Sequence, residues 1–336
     1  MTGRGLTLRL VLAAAAVVAA AGCGGDGSSG DSAPDSVTIG YSFGFDAGDV
    51  ADQVAFRRLE QRGGPHAKLL DMGGAANAIT AVIRGDVDAA TVPYVGAVEA
   101  AASGTGIRLV LGANMAAEFL LVAQPDVHGP SDLHGKTIAH SGPGTVTGTF
   151  AEEVARRAGL GRDDVRFRVI QESPARAAAL LGGRIDAATM EFVDYERLKV
   201  AHSDLHVIAR LSDIQPPAPV MVWAVSRKAA EQRSPTVQKI VDGLLDGYEF
   251  AYTAAGREAW LAEARKAALE DDTPELAHRT YDYYRRIGFW PRRGQPVTTA
   301  THDRIVRFWL DAKLIEEGAS YGELWAPDFW KAAAQD

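Results

Sequence analysis

The segment Gly85-Asp86-Val87-Asp88-Ala89-Ala90-Thr91 (the first repeat) recurs as Gly183-Arg184-Ile185-Asp186-Ala187-Ala188-Thr189 (the second repeat), with five of seven positions identical at a spacing of 98 residues. Each copy follows an alanine-rich helical pattern, and its glycine stops that helix before an aspartate leads into a buried strand. Chance in an alanine-rich chain is one explanation. The other, which we adopt, is two similar α/β lobes built around the same turn, with a cleft between them as a natural ligand site.

Short apolar runs alternate with helical patterns on both sides of the repeats. Residues 37–41 are rich in β-branched side chains and typical of a strand, and residues 48–62 carry apolar side chains at helical spacing. From Pro235 onward the pattern turns helical. This alternation predicts an α/β protein with largely parallel sheets and a helical C-terminal third.

Composition narrows the possible functions. The chain has 336 residues, which favours about two domains, and its net charge of −8 argues against a nucleic-acid-binding surface, which usually carries a basic patch. Cys23 is the single cysteine, which excludes an intramolecular disulfide, a four-thiolate zinc site and a cysteine-ligated iron–sulfur cluster. The eight histidines are scattered, and no nucleophile–base pair or carboxylate pair stands out. We therefore expect no metal, no cofactor and no catalytic residue.

The N-terminus has the organisation of an exported lipoprotein. Residues 1–22 combine two arginines, an apolar run too short to span a bilayer and small residues at the end, which predicts a signal peptide. Ala20-Ala21-Gly22-Cys23 resembles the bacterial lipobox, whose cysteine is lipidated and becomes the new N-terminus. Residues 23–36 are typical of a flexible tether. A buried cysteine in an ordinary first helix is the alternative; we expect an extracytoplasmic protein anchored in the cell membrane through Cys23.

Candidate ligand contacts follow from the ends of the strands. In open α/β sheets ligands bind beyond the carboxyl ends of strands, and Glu191 follows the second repeat where Pro93 follows the first. Ser141 and its neighbours open a helix after a strand, where free N–H groups suit a polar or anionic ligand; a plain capped helix start is the alternative. The candidates are Ser42, Phe43, Asn77, Pro93, Tyr94, Ser141, Gly142, Thr145, Glu191 and Trp223.

Four motifs occur in an order that resembles the solute-binding proteins of ABC importers. The nearest branch binds nitrate, sulfonates, taurine and thiamine-pyrimidine precursors. The most specific motif is the Asp-Leu-x-Gly-Lys turn at 132–136, and the resemblance covers about residues 37–335. The motifs are Val37-Thr38-Ile39-Gly40-Tyr41, the repeat turns at 85–89 and 183–187, and Ser131-Asp132-Leu133-His134-Gly135-Lys136-Thr137-Ile138-Ala139.

The resemblance implies a type II periplasmic-binding-protein fold, with two α/β lobes joined by two crossover strands near residues 119–125 and 219–225. Lobe one is expected at 37–122 plus 222–336, with the helical C-terminal part packed on it, and lobe two at 123–221. The family's ligand contacts correspond to Ser42, Phe43, Tyr94, Ser141, Gly142, Thr145 and Glu191.

The expected function is that of a monomeric lipoprotein that captures a small organic molecule and delivers it to the permease of an ABC importer. Glu191 and aromatic residues without an obvious arginine favour a neutral or cationic heterocycle, such as a pyrimidine or an amine-bearing compound, over a sulfonate- or nitrate-type anion. An exported enzyme of the same fold is the alternative, although the related pyrimidine synthases use a cysteine-rich motif that this chain lacks. A ligand-sensing domain that serves a signalling partner is a third possibility.

Overall fold

The computed structural model describes residues 36–143, 145–201, 204–267 and 273–333. The predicted signal peptide, Cys23 and the predicted tether up to residue 35 lie outside these ranges. Within the described ranges, no helix is long and apolar enough to cross a lipid bilayer.

Ten strands and thirteen α-helices alternate along the described ranges. The strands are β1 (Ser36–Tyr41), β2 (His66–Asp71), β3 (Ala89–Pro93), β4 (Ile107–Asn114), β5 (Leu120–Ala123), β6 (Thr137–His140), β7 (Arg166–Val169), β8 (Ala187–Met190), β9 (His206–Arg210) and β10 (Met221–Ser226). The helices are α1 (Val50–Gln61), α2 (Ala75–Arg84), α3 (Tyr94–Ala102), α4 (Val146–Arg157), α5 (Ser173–Leu181), α6 (Phe192–Ala201), α7 (Arg227–Gln232), α8 (Ser234–Ala251), α9 (Ala254–Ala267), α10 (Pro274–Ile287), α11 (Thr299–Asp311), α12 (Tyr321–Leu324) and α13 (Pro327–Ala333).

The strands form two five-stranded sheets of matching design. Their orders are β2-β1-β3-β10-β4 and β7-β6-β8-β5-β9. The first three strands of each sheet are parallel, and the fourth runs antiparallel to both neighbours. The two repeat strands, β3 and β8, hold the same central position in their sheets. The expected two-lobed α/β fold is therefore confirmed.

The two repeat turns use the same contacts. Gly85 and Gly183 adopt positive φ angles of 81° and 62°, which a residue with a Cβ adopts only at a cost. The Asp88 carboxylate accepts the backbone N–H of Thr38 at 2.8 Å, at the start of the neighbouring strand. The Asp186 carboxylate accepts the N–H of Thr137 at 2.7 Å in the same way. The repeat is therefore a structural device that joins a helix to the centre of a sheet.

The chain changes sheet between β4 and β5 and again between β9 and β10. The two connecting segments lie side by side, since Leu211 N–H donates to the Phe119 carbonyl at 3.0 Å and Val220 N–H donates to the Asn114 carbonyl at 2.8 Å. The predicted border of lobe one at residue 122 is a few residues late. Residues 120–123 pair with β8 and β9, because their buried side chains complete the second sheet.

The helical C-terminal part packs on lobe one, as expected. Helices α8 and α9 lie against α1, and α13 lies against β4. Its aromatic side chains are largely buried, with Trp260, Trp290 and Trp330 each about 1% exposed. One helix, α10, also contacts α6 of lobe two, where Phe192 and Tyr283 stack with ring centroids 3.7 Å apart. The C-terminal part therefore also forms one side of the space between the lobes.

Candidate functional site

A cavity of about 410 Å³, which we call the polar chamber, lies where the carboxyl ends of the central strands of the two lobes meet. Phe43 follows β1, Pro93 ends β3, Ser141 follows β6 and Glu191 follows β8, and all four line this chamber. Four of the ten residues proposed from the sequence therefore lie around one cavity.

Four other candidates belong to the structural framework and do not line the chamber. The Ser42 hydroxyl is buried and donates to the Thr91 carbonyl at 2.7 Å. Asn77 donates to the Met72 carbonyl at 2.9 Å, close to the start of α2. Both side chains therefore hold backbone segments in place instead of facing a ligand.

The two large aromatic candidates are fully buried. Tyr94 places its hydroxyl 2.6 Å from His302 Nδ1 and accepts the Trp325 indole N–H at 2.8 Å. Trp223 lies in the centre of the first sheet and donates its indole N–H to Tyr248 Oη at 2.9 Å. Both residues lie in or directly after predicted strands. Strand position alone does not show whether a side chain faces the chamber or packs between sheet and helix.

The start of α4 supplies a cluster of hydroxyl groups at one side of the chamber. Thr145 caps the helix by accepting the N–H of Gly148 at 3.0 Å, and the Ser141 hydroxyl donates to Thr145 Oγ1 at 2.9 Å. Thr147 lines the chamber beside Ser141, whereas Gly142 and Thr145 are not among its lining residues. Gly142 and Thr145 therefore shape the turn that presents Ser141 and Thr147.

Carboxyl groups are the most prominent feature of the chamber, and most of them are not among the residues predicted from the sequence. Four lining carboxyl groups, Asp46, Asp49, Glu118 and Glu172, lie outside the predicted set. Asp46 and Asp49 precede α1, where Asp46 Oδ1 accepts the N–H of Gly48 at 2.6 Å. Their spacing at a helix start is the signal available in the sequence, but acidic residues are common at helix starts for stability alone. Glu118 lies in the first crossover segment, and its sequence gives no comparable signal.

Burial and mutual repulsion raise the pKa values of these acids. Burial raises the pKa of Glu191 to about 8, and the carboxylates of Asp46 and Asp194 add to the rise. Burial and the charge of Glu191 hold the pKa of Glu118 well above its usual range, although Glu118 Oε2 accepts the Tyr284 hydroxyl hydrogen at 2.5 Å. Because these carboxyls face one another, the chamber holds protons that an incoming positive charge would displace.

A buried network lies behind the acidic wall. Asp52 accepts the Tyr248 hydroxyl hydrogen at 2.6 Å, and burial raises the pKa of Asp52 to about 7. Tyr41 lines the chamber and is about 1% exposed, and burial and the neighbouring Asp52 carboxyl hold the pKa of Tyr41 well above its usual range. Asp52 therefore interacts with both tyrosines.

One cation faces five acids in the lining of the polar chamber. The acids are Asp46, Asp49, Glu118, Glu172 and Glu191, and the cation is Arg176. The Arg176 guanidinium is about 2% exposed and donates to the carbonyls of Thr189 (2.5 Å), Ile170 (2.9 Å) and Gln171 (2.6 Å). These contacts hold the loops around β8 together, and they engage two of the three guanidinium nitrogens with protein carbonyls.

A second cavity of about 370 Å³, which we call the helical chamber, adjoins the polar chamber. The two share four lining residues: Asp46, Glu172, Ser173 and Glu191. The rest of the helical chamber is formed mainly by α9 and α10, including Trp260, Ala264, Leu276 and Ala277. Neither chamber offers a metal site, since no group of three or more His, Cys, Asp or Glu among the described residues could hold a metal ion.

Comparison with known families gives one match, to a family model described as NMT1/THI5 like, over residues 64–255. That range spans more than half of the chain. No curated protein matches the chain.

Solved structures share the fold over nearly the whole chain. A putative periplasmic sulfonate-binding protein, SsuA from Methylobacillus flagellatus KT, is 18% identical with a TM-score of 0.69, covering 89% of this chain and 93% of that one. The alkanesulfonate-binding protein SsuA from Xanthomonas axonopodis pv. citri, bound to MOPS, is 17% identical with a TM-score of 0.65, covering 88% and 99%. The desulfurization enzyme DSZB is 16% identical with a TM-score of 0.66, covering 89% and 99%. At these identities the likeness shows the fold, which both binding proteins and an enzyme use.

Proposed function

Because the chain belongs to the NMT1/THI5-like family, we propose that it is an extracytoplasmic solute-binding protein that delivers a small organic ligand to the permease of an ABC importer. The proposed ligand carries a positively charged or hydrogen-bond-donating nitrogen, as in an amine or an aminopyrimidine. It binds in the polar chamber between the lobes, with Glu191, Glu118, Asp46 and Asp49 as its acceptors.

The observation that supports this ligand class is the excess of carboxyl groups over guanidinium groups in the chamber. A sulfonate or nitrate needs free N–H donors or cations. The N-terminus of α1 faces the chamber, but Asp46 already accepts a backbone N–H there and Asp49 adds a further negative charge. A bound cation is favoured because it stabilises the ionised forms of these acids, whose pKa values burial raises, whereas an anion would oppose their ionisation.

A thermal-shift screen of the purified protein tests the ligand class directly. Benzylamine and benzenesulfonate form a matched pair of similar shape and opposite charge, and aminopyrimidines, nitrate and taurine complete the panel. A ligand at 100 times its dissociation constant adds about 2.7 kcal/mol to the free energy of unfolding, which is a clear shift of the melting temperature. We expect shifts with the amines and aminopyrimidines. Shifts with sulfonates alone would contradict the proposed ligand class.

Membrane anchoring through Cys23 remains part of the proposal. The proposal rests on the order of signal peptide, lipobox-like cysteine and tether in the sequence. Replacing Cys23 by Ala removes the thiol to be acylated, so the variant should move from the membrane fraction to the soluble extracytoplasmic fraction. Retention of the Cys23→Ala protein in washed membranes would contradict a lipid anchor at this residue.

An exported enzyme is a second candidate, favoured by the fold shared with DSZB. The described residues of this chain contain no cysteine. His140 and Ser141 are neighbours, but His140 Nδ1 accepts the N–H of Gly142 at 3.1 Å and the Ser141 hydroxyl bonds to threonine hydroxyls. This geometry lacks the contact between nucleophile and base that activates a serine, so it supports binding better than catalysis.

A further inference from the structure

We propose that the ligand is an elongated organic cation that occupies both chambers, with its charged nitrogen at their junction and its apolar body in the helical chamber. This inference rests on the proposed function and defines the shape of the ligand. The junction consists of the four shared lining residues, of which Asp46, Glu172 and Glu191 carry carboxyl groups.

The two cavities together have room for a ligand larger than a small amine. The chambers measure about 410 and 370 Å³, and each is large enough for an organic group of moderate size. Because they share lining residues, a molecule anchored at the junction has space on both sides. A ligand confined to one chamber would leave the other filled with water.

The walls of the helical chamber match an apolar body. Trp260 and Leu276 are buried and line it, and Ala264 and Ala277 present small side chains beside them. The lining also contains an ion pair, with Arg197 Nη1 2.8 Å from Asp194 Oδ1, and the exposed Arg265. Burial of apolar ligand surface against these side chains stabilises the complex by the hydrophobic effect.

A homologous series of amines tests this proposal by calorimetry. The probes are benzylamine, 2-phenylethylamine, 3-phenylpropylamine and 4-phenylbutylamine, which keep the ammonium group and lengthen the apolar part. Each added methylene that becomes buried should tighten binding by about threefold to fourfold. The wild-type protein should show this rise along the series.

Matched variants on α9 test whether the apolar part of the ligand lies in the helical chamber. Ala264 lines the helical chamber, whereas Ala262, two residues earlier, is exposed. Ala264→Trp should fill the chamber and abolish the rise of affinity with chain length. Ala262→Trp should keep the full rise. Ala277→Phe gives a second, smaller obstruction in case Ala264→Trp lowers the melting temperature of the unliganded protein.

The outcomes separate the two proposals. If benzylamine binds but affinity does not increase along the series, or increases equally in Ala264→Trp and Ala277→Phe, the two-chamber proposal is wrong and the cation site stands. If no member of the series binds the wild-type protein while benzenesulfonate does, the proposed ligand class itself is wrong.

Discussion

The two repeats are alike in their turns and differ in the residue that follows each strand. In both, a glycine with positive φ ends the helix and an aspartate accepts a backbone N–H from the neighbouring strand. After the first repeat, Pro93 leads into the buried Tyr94; after the second, Glu191 faces both chambers. The shared residues therefore build the two sheets, whereas the second residue after each copy differs in what it presents to the chambers.

Removing the repeat aspartates should have the largest effect on stability. Asp88→Ala and Asp186→Ala each leave a backbone N–H at the start of a strand without its acceptor. Each change also removes an ion pair, with Arg233 and Lys136 respectively. We expect each variant to lose about 2 to 3 kcal/mol of the free energy of unfolding, measured by urea denaturation. Equal losses would confirm equivalent roles, and a loss below about 0.5 kcal/mol in either variant would show that its turn does not depend on the aspartate.

Glu191 should produce a dependence of stability on pH that the equivalent position in the first repeat lacks. Its pKa is about 8 in the folded protein, compared with about 4.3 in an unfolded chain. Between these values the folded state binds more protons than the unfolded state, so the free energy of unfolding falls as the pH rises through that interval.

Glu191→Gln removes this carboxyl, so the free energy of unfolding should fall less steeply as the pH rises. Near pH 4 the variant and wild type should be similarly stable. At pH 8.5 the variant should be more stable than wild type, because the wild type then buries an ionised group. Pro93→Ala is the control at the equivalent position and should not change the slope with pH. If the free energy of unfolding fell equally with pH in Glu191→Gln and wild type, Glu191 would have the same pKa in the folded and the unfolded state.

The repeat glycines should give the smallest effect. Gly85→Ala and Gly183→Ala place a Cβ on left-handed backbone, but nothing lies within 4 Å of that added atom at either position. The expected cost is therefore conformational alone, about 1 kcal/mol each, measured by the same denaturation. A markedly larger loss of stability at one glycine would show that its turn cannot relax. The two repeats would then differ in stability although their turns are alike in the structure.

The sequence predicts the framework of this protein better than its site. The repeat revealed both lobes, because glycine and aspartate at a turn have direct conformational consequences. Four of the candidates chosen from the ends of strands, Phe43, Pro93, Ser141 and Glu191, line one cavity. Tyr94 follows from the same rule and Trp223 from its place in a predicted crossover strand, yet both are core residues.

The acids of the site show why part of it could not be predicted. Asp46 and Asp49 look like ordinary residues at a helix start, and their role in the chamber depends on how lobe two faces that helix. Glu118 lies in a crossover segment whose position follows from the assembly of both sheets. The family resemblance implies a crossover near residues 119–125 and hence a lobe border at residue 122. Pairing in the structure assigns β5 to the second sheet, which its apolar residues do not distinguish from the first.

The central claim is that the carboxyl groups between the lobes select a cation, and one calorimetric comparison tests it most directly. Benzylamine and benzenesulfonate are titrated at pH 8 into wild type and Glu191→Gln. We predict that wild type binds benzylamine and not benzenesulfonate, and that Glu191→Gln binds benzylamine at least tenfold more weakly, since a charge-assisted hydrogen bond contributes about 1.5 to 3 kcal/mol. Tighter binding of benzenesulfonate than of benzylamine by wild type, or equal benzylamine affinity in both proteins, would contradict the claim.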